Sequence, residues 1–158
     1  MALKATIFKA RVQLADMDRG IYADHALTLA RHPSETDERM LVRVLAFALN
    51  VPADDHEGTL EMGKGLSDVD EPELWHRDLT GRIRHWLETG QPDDKRLLRA
   101  AGRADKVSVY AYAASTPIWW NGIANKISRA SNIEVWQIDA AQSQALAALA
   151  QRTMQLQV

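Results

Sequence analysis

The sequence predicts a single α/β domain over residues 1–158, with a central mixed sheet flanked by helices and an N-terminal β-hairpin. Apolar and polar side chains alternate over residues 3–14, as they do in half-buried strands. In the second half, strand-like runs alternate with segments of helical periodicity, and strands joined through helices pair in parallel. The 158 residues, 46% of them hydrophobic, suffice for one core and are too few for two of typical size.

The N-terminal hairpin is the first predicted element. Residues 3–14 form its first strand, residues 16–20 a turn, and residues 21–31, which alternate more weakly, its second strand. The side chains expected on the buried face of the first strand are Phe8, Ala10, Val12 and Leu14.

A helix is expected to begin after Pro33. Ser34 is a suitable N-cap, acids follow it at the positive helix start, and residues 50–52 end the helix. Glu38 lies three residues before the apolar Leu41, so it falls on the inward side of the first turn. Two interpretations of Glu38 remain open: an inward-facing functional acid, or a surface acid that interacts with the helix dipole.

A short strand is expected near residues 59–62, followed by a second hairpin of residues 73–77 and 82–88. If the turn is centred on residues 80–81, Trp75 faces Trp86 and Glu73 faces Glu88. Directly opposed acids repel each other unless a positive group lies between them, and a metal ion or Lys95 would serve. A register shifted by one residue would instead separate the two acids.

The remaining pattern predicts helices and strands in alternation. Asp93 caps a helix that Gly102 ends, a strand covers residues 107–113, and residues 115–117 open the next helix. A strand over 133–138, a helix over 140–150 capped by Asp139, and a strand over 154–158 complete the series. Because the chain stops within a strand, we expect residues beyond Val158 to be missing.

Composition excludes several classes of protein. No segment approaches the ~20 apolar residues of a membrane span, and the N-terminus lacks a signal peptide pattern. The absence of cysteine excludes disulfides and thiolate metal sites. These features predict a cytoplasmic protein that does not associate with membranes. A net charge of −2 disfavours a general nucleic-acid coat protein.

Charge is unevenly distributed along the chain. Residues 53–73 are strongly acidic, whereas bases outnumber acids over residues 77–106. Glu38, Glu73 and Glu88 come from different predicted elements, and oxygen ligands that converge from several elements suit Mg²⁺ or Mn²⁺. An acidic metal site beside a basic surface would suit a polyanionic substrate. Solvated charges on helices and loops explain the same pattern without any site.

Several separated segments resemble the YaeQ family, and together they span the whole chain. They are residues 1–7, 27–36, 38–40, 70–73, 86–88, 118–120 and 152–154, with Gly90, Pro92 and Asp93. The resemblance implies a restriction-endonuclease-like fold, a variant of the PD-(D/E)XK nuclease superfamily, in the bacterial cytosol. Family members usually continue past the position of Val158.

The resemblance also implies roles for single residues. Pro72-Glu73 resembles the Pro-Asp element of the superfamily, Glu88 its second acid, and Glu38 an acid often added by the first helix. Gly90 stands where the pattern has a lysine that orients water and stabilises phosphoryl charge. Lys95, on the following helix, is the expected replacement.

We therefore expect a phosphodiesterase that depends on Mg²⁺ or Mn²⁺ and acts on nucleic acid. Glu38, Glu73 and Glu88 would hold the metal, Asp70 would assist Glu73 or substitute for it, and Lys95 would stabilise the transition state. The alternative is a noncatalytic protein of the same fold that binds nucleic acid or a protein of the transcription machinery. The basic surface expected for such binding comprises Arg82, Arg84, Arg96 and Arg99.

Overall fold

The computed structural model describes residues 4–65 and 68–158. Within them the chain forms eight strands and four helices. In order these are β1 Thr6–Asp16, β2 Ile21–Arg31, α1 Asp37–Asn50, β3 Thr59–Met62, β4 Leu74–Arg77, β5 Ile83–Thr89, α2 Asp94–Arg103, β6 Ala104–Ala111, α3 Thr116–Ile127, β7 Ile133–Gln137, α4 Ala140–Ala147 and β8 Thr153–Gln157. The predicted order of elements is therefore confirmed.

The strands form two mixed sheets. The first has the order β2-β1-β8, with β8 parallel to β1, and the second has the order β3-β4-β5-β6-β7. In the second sheet β3, β4 and β5 are antiparallel, whereas β5, β6 and β7 are parallel as predicted. The sequence predicts one central sheet. The difference arises because β8 pairs with the N-terminal hairpin. Local periodicity does not indicate which strands pair when they are far apart in the sequence.

The N-terminal hairpin has the predicted strands in continuous register, from Thr6 opposite Arg31 to Asp16 opposite Ile21. Its turn is closed by Arg19, whose backbone N–H and side chain both donate to the Asp16 carboxylate. The hydrogen bond from the Arg19 side chain lowers the pKa of Asp16. Arg19 also donates to the carbonyls of Ala48 and Val51, at 3.0 and 2.8 Å. The turn thereby supplies the positive charge that the last turn of α1 lacks.

Helix α1 lies between the two sheets. Its N-cap is Thr36, whose hydroxyl accepts from the Arg39 N–H at 3.1 Å, and not Ser34 as predicted. Its buried residues are Met40, Leu41, Val42, Arg43, Val44, Ala46, Phe47 and Ala48. They pack in one cluster with Val12 and Leu29 of the first sheet and with Leu74 and Leu87 of the second. A helix covered on both sides is apolar around most of its circumference. Its helical periodicity therefore identifies only some of the buried residues.

Helices α2 and α3 cover the other face of the second sheet. Trp75 and Trp86 meet edge to face there, with ring centroids 6.1 Å apart, beside Leu97 of α2 and Ile123 of α3. The predicted pairing of Trp75 with Trp86 is confirmed. A bulge between His76 and Arg77 then shifts the register. The order of layers is therefore first sheet, α1, second sheet, and finally α2 with α3.

His85 is a half-buried base on the second sheet, with Nε2 2.7 Å from the Ser108 hydroxyl. Burial, helped by the charge of Lys106, lowers its pKa from 6.5 to about 4. The unfolded chain therefore binds the proton more readily, and stability falls as the pH drops from about 6.5 towards 4. At 1.36 kcal/mol for each pKa unit, we expect His85 to cost up to about 3 kcal/mol of stability at the lower pH.

The measurement is the unfolding free energy in urea at several pH values between 4 and 7. His85→Gln keeps a polar group near Ser108 but cannot titrate, so this variant should lose much of the acid destabilisation. The exposed His56 provides a matched control, and His56→Gln should follow the parent. An unchanged pH dependence in His85→Gln would show that other groups control acid unfolding.

Candidate functional site

A cavity of about 290 Å³ lies at the carboxyl end of β5, where the α1 and α2 sides of the second sheet meet. Charged residues from four separate segments line it. The polar side chains that contribute to its wall include Arg39, Asp68, Glu73, Glu88, Thr89 and Arg96. The sheet places Glu88 and Thr89, and the two flanking helices place the arginines. We take this pocket as the candidate functional site.

Glu73 lies just before β4 and is 3% exposed. Its carboxylate accepts from Nη2 of Arg39, and its second oxygen is 3.7 Å from Nε of Arg43. Arg43 in turn donates to Glu35 at 2.6 Å. These four residues form a network beneath the pocket. Glu73 packs so closely on Gly65 that a side chain at position 65 would displace its carboxylate.

Burial dominates the electrostatics of this network. It raises the pKa of Glu35, against the attraction of Arg43. For Arg39, burial would lower the pKa, but the charge of Glu73 and its hydrogen bond raise it overall. A charge removed from water persists when an opposite charge and hydrogen bonds compensate the desolvation. Each charge of the network therefore depends on the others.

Glu88 is 2% exposed near the end of β5. Its Oε1 accepts from Nε1 of Trp86 at 2.8 Å and from Nε of Arg96 at 2.7 Å. Burial raises the pKa of Glu88, the charge of Arg96 opposes this, and the charge of Glu73 adds to it. Arg96 also donates to the carbonyls of Val69 and Glu71, so it ties α2 to the segment that leads to Glu73.

The buried acids of the site are thus balanced by arginines. Glu35, Glu73 and Glu88 face Arg39, Arg43 and Arg96, which makes the buried set formally neutral. The sequence predicts that a metal ion or Lys95 separates the two hairpin acids. In the structure, Arg39 and Arg96 compensate them.

Three other predicted site residues lie outside the pocket wall. Glu38 accepts from the Ser143 hydroxyl at 3.1 Å, at the contact of α1 with α4. Lys95 is exposed on α2 and borders a separate shallow cavity with Asp93 and Arg96. Asp70 is exposed and lies 3.5 Å from Arg99. Across residues 4–65 and 68–158, no three His, Asp or Glu side chains are grouped as a metal site.

The predicted basic surface consists largely of paired arginines. Arg82 lies 2.7 Å from Asp105, and Arg84 lies 3.7 Å from the same carboxylate and 3.6 Å from Glu57. Arg96 is committed to Glu88, as described above. Exposed ion pairs exchange readily with other partners, so Arg82, Arg84 and Arg99 still present positive charge to solvent.

Sequence reasoning missed the contribution of α1. Arg39 and Arg43 are spaced four residues apart, which places them on one side of α1, and Glu35 lies just before the N-cap of that helix. Their signal was two arginines within an apolar helical segment. A charge in that position requires a buried partner, and Glu73 is that partner for Arg39.

Comparison with known proteins identifies the family. The family model described as YaeQ protein matches residues 1–158. The chain belongs to the YaeQ family. It is 46% identical over 158 residues to the YaeQ protein of Salmonella typhi and 44% identical to that of Escherichia coli K12, both described as uncharacterized. In each case the match covers 99% of this chain and 84% of the relative.

Solved structures of the YaeQ family share this fold. The crystal structure of the YaeQ protein from Xanthomonas axonopodis pv. citri superposes with a TM-score of 0.88 at 49% identity, covering 98% of this chain and 85% of that one. The YaeQ protein from Pseudomonas syringae gives a TM-score of 0.89 at 38% identity, covering 98% and 83%. The mixed α/β architecture is thus a property of the family. In the part of the chain described, no helix has the length and apolar character needed to cross a bilayer.

Glu73→Gln tests the buried network. The variant keeps the shape of the side chain but leaves Arg39 and Arg43 without their shared counter-charge. Loss of one partner of a buried ion pair costs about 3–5 kcal/mol, so the unfolding free energy in urea should fall by that amount. Glu61→Gln is the control, because its ion pair with Arg77 is exposed and should contribute little. Equal stabilities for the two variants would contradict a buried network centred on Glu73.

Proposed function

We propose that the pocket is a phosphodiesterase site for nucleic acid that uses Mg²⁺ or Mn²⁺, in a restriction-endonuclease-like domain related to the PD-(D/E)XK nucleases. One observation carries the proposal. Glu73, just before β4, and Glu88, in the adjacent strand β5, are almost fully buried acids that line one cavity open to solvent. Buried acids in a cleft are characteristic of functional sites, and burial raises the pKa of Glu88.

The donor atoms suit a divalent cation. Mg²⁺ is commonly held by one or two carboxylates together with waters and substrate phosphates, so a third acid is not required. Both donors to Glu88 use Oε1, and the hydrogen bonds found among the described residues leave Oε2 unused. Oε2 of Glu73 lies 3.7 Å from Nε of Arg43. This distance is typical of an ion pair and too long for a hydrogen bond. We assign the cation to Glu73 and Glu88.

A bound cation would polarise a phosphoryl oxygen and lower the pKa of a water molecule. The residues of the chain supply orientation. Arg96 and Trp86 fix Glu88, and Arg39 and Arg43 fix Glu73, so neither carboxylate must be ordered when a substrate arrives. Glu38, Asp70 and Lys95 are not needed in this arrangement, because they do not contribute to the pocket wall.

A second function is favoured by the charge balance of the pocket. Each buried acid already has an arginine partner, so the buried charges are compensated without a metal ion. Such a domain can function by binding a partner, without catalysis. Arg82 and Arg99 have side chains that are 64% exposed, and with Arg84 they suit phosphate contacts. The partner would then be nucleic acid or a protein of the transcription machinery.

The deciding experiment combines Mn²⁺ calorimetry with cleavage of labelled single- and double-stranded DNA and RNA. The parent should bind Mn²⁺ and cleave at least one substrate. Glu88→Gln should reduce Mn²⁺ affinity by at least about tenfold and the cleavage rate by at least about a hundredfold, because it removes a cation ligand. Glu61→Gln should behave like the parent. A folded parent that neither binds Mn²⁺ nor cleaves any substrate would refute the phosphodiesterase.

The binding function predicts a different result. Replacing Arg82 and Arg99 together with alanine should weaken oligonucleotide binding and reduce its salt dependence, by about one unit of slope for each lost phosphate contact. Arg11→Ala is the control, because Arg11 is exposed on the first sheet. Binding by the parent without cleavage would favour this function. If the double variant binds as the parent does, the basic surface is not the contact.

A further inference from the structure

We propose that Arg39 and Thr89 form a phosphate-binding subsite within the pocket, and that Gly90 leaves the space for it. The inference rests on the proposed function, because it assigns the phosphate contact of the same site. Arg39 and Thr89 are not among the site residues predicted from the sequence, whereas Gly90 is the position at which the expected lysine is absent. It follows from three features: the backbone at Gly90, the donors of Arg39 and the unused hydroxyl of Thr89.

Gly90 follows Glu88 and Thr89 at the point where the chain leaves β5. It has φ +84°, a conformation that favours glycine, and its N–H donates to the Tyr110 carbonyl at 2.9 Å. A Cβ at this position would lie 2.8 Å from Nη1 of Arg39. The guanidinium therefore occupies space that any larger residue at position 90 would take.

Arg39 has donor groups available beside the acids. Nη2 donates to Glu73, Nε lies 3.9 Å from Glu35, and Nη1 lies 2.8 Å from where a Cβ at position 90 would be. Burial raises the pKa of Tyr112, and a hydrogen bond with Arg39 opposes this, so one donor of the guanidinium is directed to that phenol. The side chain is 17% exposed and forms part of the pocket wall, so it reaches the cavity. A guanidinium offers several N–H groups in one plane and can bind two phosphate oxygens at once.

Thr89 provides the second contact. It lines the same pocket and is 2% exposed, yet its buried Oγ1 has no hydrogen-bond partner among residues 4–65 and 68–158. Leu87 faces α1, and side chains alternate along a strand, so Thr89 lies on the side of the sheet from which Arg39 comes. An unsatisfied buried hydroxyl is costly, and a ligand oxygen would remove that cost.

The charge balance indicates that the phosphate would bind together with the cation. The three arginines and three glutamates are neutral as a set and Asp68 on the pocket wall adds one negative charge, so an anion alone increases the negative charge and a divalent cation alone reverses it. When both ligands are bound, their charges nearly cancel. Each should therefore raise the affinity for the other, and the two increases must be equal.

The test is calorimetric titration of the full chain with inorganic phosphate, in chelator and with Mg²⁺. We expect the parent to bind phosphate in at least one condition. Thr89→Val is nearly isosteric and should lower phosphate affinity by about tenfold, the effect of one hydrogen bond to a charged ligand. Arg39→Lys keeps the charge beside Glu73 but removes the planar fork, and it should lower the affinity at least as much.

Thr116 provides a matched control for Thr89. It is also a buried threonine whose Oγ1 has no hydrogen-bond partner in the part of the chain that the structure describes, but it begins α3 and lies outside this pocket. Thr116→Val should therefore bind phosphate as the parent does. Equal phosphate affinities for the parent and Thr89→Val would overturn the subsite. So would equal losses in Thr89→Val and Thr116→Val, or the absence of phosphate binding by the parent.

The subsite and the proposed function can fail separately. Phosphate binding that depends on Thr89 and Arg39, in a protein that neither binds Mn²⁺ nor cleaves nucleic acid, would support the subsite and refute the phosphodiesterase. Mn²⁺-dependent cleavage that Thr89→Val and Arg39→Lys leave unchanged, with unaltered phosphate affinity, would support the phosphodiesterase and overturn the subsite.

Discussion

The burial of α1 between two sheets is the constraint on which the site depends. A helix covered on both faces has little access to water, so the arginines on it must find their partners inside the protein. Arg39 and Arg43 find them in Glu35 and Glu73. This demand fixes the segment before β4, because Glu73 must approach α1 from the neighbouring sheet. The position of Glu73 in the pocket thus depends on the packing of the first sheet against α1.

The pocket forms at the end of the second sheet where helices on both faces place side chains in its wall. Arg39 arrives from the α1 side and Arg96 from the α2 side, and each holds a carboxylate that belongs to the sheet. Arginines that reach the strand end from opposite faces of the sheet can hold the two carboxylates in place. Neither helix then has to enter the cavity. Two residues after Glu88 the chain adds no side chain to this space, because the residue there is Gly90.

Much of the fold could be predicted from the sequence because its signals are local. The hairpin alternation, the caps Asp93 and Asp139, and the tryptophan pairing all rest on neighbours within one or two elements. The division into two sheets could not be predicted, since it depends on where β8 pairs. For the site, the two hairpin acids were found from their register. Arg39 and Arg43 were missed and Arg96 was assigned to a basic surface, because surface and buried arginines look alike in a sequence until their surroundings in the fold are known.

The parallel pairing of β8 with β1 also bears on the order of folding. Gln13 and Gln157, which meet across these strands, are 144 positions apart in the chain, whereas β1 and β2 are joined by a short turn. During synthesis the hairpin can form early, but the first sheet is completed only after residues 153–157 have left the ribosome. Until then one edge of β1 has no partner strand, and the sheet that covers α1 is a strand short. Arg39 and Arg43 on α1 therefore gain their final support late, so on the ribosome the site is less rigid than it is in the finished protein.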